Sequence, residues 1–86
     1  MSYIINKSDG NTLATVADGQ IDQLSSSLTL VGKNYSGFGE YINENFVKLL
    51  ENFSSTTQPT APISGQLWYD TTENKLKVYN GLELVS

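Results

Sequence analysis

The 86-residue chain contains no cysteine and no histidine. The first absence excludes a disulfide framework, a thiolate zinc site and a cysteine nucleophile. The second excludes a serine–histidine pair and an imidazole proton shuttle. Cations are scarce: 5 Lys+Arg stand against 9 Asp+Glu, a net charge of −4. Duplex binding draws most of its affinity from phosphate neutralisation, so five scattered cations argue against a nucleic-acid partner. Long apolar runs are missing too, and no segment is expected to span a membrane. The opening stretch, Met1 to Gly10, has neither the basic region nor the apolar region of a secretory leader.

What remains is a short chain with 38% hydrophobic residues. A domain of this size buries little apolar surface against the entropy of ordering its backbone. With no disulfide or evident metal, oligomerisation or continuation into a longer chain is the expected remedy.

The pattern along the chain predicts an α+β, β-rich fold. Asp9-Gly10, Asp18-Gly19 and Asn80-Gly81 are turn dipeptides that tolerate positive φ. Tyr3 to Ile5 and Thr12 to Val16 read as strands around the first turn. Leu24, Ser26, Leu28 and Leu30 alternate with a period of two, which predicts a half-buried strand from Leu24 to Val31. Gly32 to Gly39 is a glycine-rich loop, with Tyr35 and Phe38 expected to pin it to the core. A helix is expected at about 40–53. There Ile42, Phe46, Leu49, Leu50 and Phe53 share one face, expected to be the seam that covers the core side of the sheet or packs between copies of the chain. Pro59 to Pro62 reads as a stiff linker. It joins an N-terminal module of hairpins plus helix (1–58) to a C-terminal module (63–86) in one compact unit.

The C-terminal module reads as a three-stranded meander over about 65–85. A four-residue loop at Thr71–Asn74 sets Asp70 opposite Lys75 and Trp68 opposite Lys77. A two-residue Asn80-Gly81 turn sets Tyr79 opposite Leu82. In this register Leu67, Tyr69, Leu76, Val78 and Val85 lie on one face, expected to be core. Gln66, Trp68, Asp70, Lys75, Lys77, Tyr79, Leu82 and Leu84 lie on the other. That mixed face needs a cover, and Trp68, Tyr79, Leu82 and Leu84 are the expected contact surface with another protein.

The segment Gly65-Gln-Leu-Trp-Tyr-Asp-Thr-Thr-Glu-Asn-Lys-Leu-Lys-Val-Tyr-Asn-Gly81 resembles a module of tail-fibre and other virion proteins of tailed bacteriophages. The module's pattern is G-x-L-W-[YF]-D-T-x-x-x-x-L-x-V-Y-[DN]-G. Ile5 to Gly10, Thr15 to Gly19, Leu28 to Gly39 and Asn43 to Phe53 are similar to the start of phage structural proteins, notably of contractile-tailed marine phages. The likeness therefore covers nearly the whole chain. Family members often place an aromatic after the last glycine, where this chain has Leu82-Glu-Leu84. The resemblance implies a virion location and the virion-attached end of a fibre. It also implies a homotrimer docked on other tail, neck or capsid proteins. Longer relatives continue into a shaft, so the chain is expected to be a fragment or a truncated subunit.

No chemistry competes with a structural role. Gly37-Phe-Gly39 lacks the third glycine of a dinucleotide loop, since Ile42 occupies that place, and Gly32-Lys33-Asn34 lacks the frame of a phosphate loop. The carboxylates show neither calcium-loop spacing nor a glycosidase pair. Asp70 is expected to brace its turn or pair with Lys75. No catalytic, cofactor or metal residue is assigned, and the chain is read as non-enzymatic. The alternative is a receptor- or glycan-binding module that stacks sugar rings on Trp68 and Tyr79.

Overall fold

In a computed structural model covering Met1–Ser86, Asp9 accepts the Asn11 N–H and Gly10 takes φ 91°, which folds the first hairpin. Strand β1 (Tyr3–Asn6) pairs antiparallel with β2 (Thr12–Val16). A bulge breaks the register after Ile5↔Ala14, so Asn6 pairs with Thr12 and Leu13 has no partner. Ala14 and Val16 face inward.

The second pair, β3 (Ile21–Asp22) and β4 (Leu30–Val31), has two residues per strand. The longer strand expected from Leu24 to Val31 is not formed. The Asp22 carboxylate accepts the Leu24 and Ser25 N–H groups, and Ser26 Oγ accepts the Leu28 N–H. These local bonds hold the backbone in bends and outcompete ladder pairing. Gly32 closes the unit, donating its N–H to Gln20 O at 2.8 Å. A Cβ there would overlap the Ala17 carbonyl, so only glycine fits.

Helix α1 (Phe38–Leu50) begins two residues earlier and ends three earlier than the periodicity suggests. Gly37, at φ 83°, turns the chain into it. Asn52 and Phe53 both adopt positive φ, and the Phe53 N–H reaches back to Lys48 O, which ends the helix. Phe38 does not pin the loop: it is exposed, while Tyr35 is half-buried against the Tyr41 ring.

The third sheet is the expected meander: β5 (Leu67–Asp70), β6 (Lys75–Tyr79) and β7 (Leu84–Val85). The first turn has the expected register, with Trp68↔Lys77 and Asp70↔Lys75. The second does not. Tyr79 faces Leu84 rather than Leu82. The Asn80 side chain accepts the Leu82 and Glu83 N–H groups, widening a two-residue turn to four. The slip is two residues, so the side chains keep their faces.

The stretch after the helix lies along the free edge of β5. Asn52 O accepts the Tyr69 N–H, and Ser55 exchanges bonds with Tyr69 and Thr71. Ser27 Oγ ties down the proline stretch by donating to Thr60 O, and accepts from Gln66 Nε2. The result is an elongated body of 42 × 27 × 16 Å. No helix in it is long and apolar enough to cross a membrane.

Candidate functional site

The fully buried residues of the meander lie on the face expected to be mixed. Trp68 (4% exposed) and Asp70 are buried, while Lys77, Tyr79 and Leu84 are half-buried on that same face. Of the face expected in the core, Leu67, Leu76 and Val78 are exposed, while Tyr69 and Val85 are half-buried. Two physical effects outweigh the count of apolar residues. Trp68 carries the largest apolar area on either face. The charges beside it neutralise each other: Lys77 Nζ lies 3.0 Å from Asp70 Oδ2 and 3.4 Å from Glu73 Oε1, and 5.2 Å from the centroid of the indole.

Asp70 also accepts the Thr72 N–H at 2.9 Å, bracing the 71–74 turn as expected, but its cation is Lys77 and not Lys75. The Lys77 hydrogen bond holds the Asp70 carboxyl below its ordinary range, and the same bond raises Lys77. The indole N–H is buried with no acceptor. Asp9 and Asp22 likewise serve their turns, and backbone or hydroxyl donors to each carboxylate keep it ionised to lower pH. No three of the acidic groups come together.

The helix carries the second reversal. Its one buried residue is Asn45, whose amide grips the backbone of Thr29: Oδ1 accepts the Thr29 N–H at 3.0 Å and Nδ2 donates to Thr29 O at 2.8 Å. Sequence periodicity had no means of finding this contact, because a polar residue beside an apolar stripe reads as solvated. The expected seam is not covered. Ile42, Phe46 (63%), Leu49 and Leu50 (83%) are exposed, and only Phe53, beyond the helix, is half-buried.

These exposed side chains adjoin two hollows. One, of about 430 Å³, is lined by Leu13, Leu28, Leu30, Leu49, Phe53 and Leu67, among others. It lies where the hairpin, the helix and the meander converge, a place that a filled core would occupy. The other, of about 550 Å³, is lined by Tyr3, Val31, Tyr35, Phe38 and Ile42. Leu49 and Phe53 join the helix to the first hollow, Phe38 and Ile42 join it to the second, and Leu67 joins the first hollow to the outer face of the meander. One apolar surface thus runs from α1 to β5.

Of the residues picked out in the sequence, Ile42, Phe46, Leu49, Leu50 and Phe53 lie on this surface. Trp68, Tyr79 and Leu84 lie on the opposite face of the meander, and Leu82 (90% exposed) stands alone on the 80–83 turn. A buried indole offers no face to a sugar ring. Leu13, Leu28 and Leu30 were expected in strands and Leu67 on the meander's core face; the structure gathers all four around the first hollow.

No protein-family model, curated protein or solved structure matches the chain.

Proposed function

We propose that the chain is a non-enzymatic structural component of a tailed-bacteriophage virion, the virion-attached part of a tail fibre or a related tail protein. It acts by assembling with copies of itself, as a homotrimer, and docking on tail, neck or capsid proteins. The observation that carries the assembly is the uncovered apolar stripe of α1, on a body whose buried apolar residues are Ala14, Val16 and Trp68 alone. So small an interior gives little stability, and covering the stripe would add to it. The phage setting rests on the likeness of the Gly65–Gly81 segment to the virion module. Light scattering tests the reading. A mass near three times 9.4 kDa is expected, and a stable monomer at micromolar concentration would overturn it.

A further inference from the structure

The apolar stripe of α1 consists of Phe38, Ile42, Phe46 and Leu50, each four residues from the next, with Leu49 beside them. Side chains at this spacing form one continuous ridge along a helix, the element that interlocks when two helices pack. Glu40, Glu44, Lys48 and Glu51 fall on the other side of the helix, leaving the ridge free of charge.

The surface area is also too large. A compact 9.4 kDa monomer exposes about 5000 Å², whereas this chain exposes 5730 Å². The excess is close to the roughly 800 Å² that each partner contributes to a stable interface of ordinary size.

We propose that this ridge is buried between copies of the chain, with a second copy as its partner. The reason is self-complementarity. The ridge is flanked by an apolar hollow at each end, and a surface that carries both a projecting row and neighbouring hollows fits its own copy. Charge agrees. Two chains of net −4 repel overall and approach most easily where neither carries charge. The inference deepens the assembly reading and rests on it: it selects the helix side, and not the Trp68–Tyr79 face, as the contact between copies.

The chain has no cysteine, so single-cysteine variants report one position each. Phe46→Cys and Leu50→Cys would be compared with Glu44→Cys for the rate of maleimide labelling, each against its own rate in urea. Phe46 and Leu50 project from the single chain, so replacing them removes little of its own packing. Light scattering on the same samples gives the mass. An oligomer in which positions 46 and 50 label about tenfold more slowly than position 44 is the expected result. An oligomer that labels equally fast at all three positions overturns this inference and leaves assembly standing through another face. A monomer overturns both. Phe46→Asp is expected to dissociate the oligomer while Leu82→Asp leaves it intact, and the reverse pattern would place the contact on the meander turn.

Discussion

In the meander, an indole packs on the inner face beside an ammonium and a carboxylate that pair with each other across two strands. In α1, the only fully buried side chain is an amide that holds a loop backbone by two hydrogen bonds. The meander therefore carries an interior of its own. The helix is positioned by polar contacts and keeps its apolar residues outside. Hydrogen bonds fix orientation well and add little net stability, whereas burial of a large ring does the opposite. The two regions divide those tasks between them: one supplies the stability of the single chain, the other an oriented surface.

The largest expected effect comes from removing the meander's interior. Trp68→Ala should destabilise the chain by about 3–5 kcal/mol, read as a lower urea midpoint by circular dichroism. A loss below about 1 kcal/mol would mean that the ring carries no core. Asn45→Ala should be milder. It leaves the Thr29 N–H and C=O without partners, a loss of about 1–3 kcal/mol. If the same unfolding experiment shows no change, the helix is held by something other than this amide.

The third test concerns pH. Asp70 titrates lower in the folded chain than in the unfolded one, so its contribution is present at neutral pH and fades only as the pH falls below about 4. Lys77 is shifted upward, so its contribution persists until strongly alkaline conditions. Lys77→Met removes the main group holding Asp70 down. The acid limb of the unfolding curve should move to higher pH, and an unmoved limb would show that the turn N–H donors alone hold the carboxylate. This is the smallest of the three effects, because it removes one partner from a network that retains others.

The turns were the most legible part of the sequence. Asp9-Gly10 and Asp70 to Lys75 each combine a side-chain acceptor with a residue suited to positive φ, and both produce the hairpins expected of them. Asn80-Gly81 has the same signature, yet Asn80 captures two N–H groups further along and lengthens the loop. The helix was legible in existence and not in orientation. Periodicity reports that Ile42, Phe46 and Leu49 share a side; it cannot report whether that side meets its own chain or another. In the meander the number of apolar residues on a face is a poorer guide to burial than their size. One Trp68 beside a neutralised pair outweighs Leu67, Leu76 and Val78. The strand expected from Leu24 yielded to Asp22 and Ser26, whose short side chains bind the backbone locally.

Trp68 is the chain's only tryptophan, and its enclosure has a practical consequence. Its emission is a private reporter of the C-terminal sheet, blue while the ring is sealed and red once water reaches it. Separation of subunits along the helix should leave that colour unchanged, so a single fluorescence trace distinguishes a chain that has come apart from its neighbours from one that has lost its own shape.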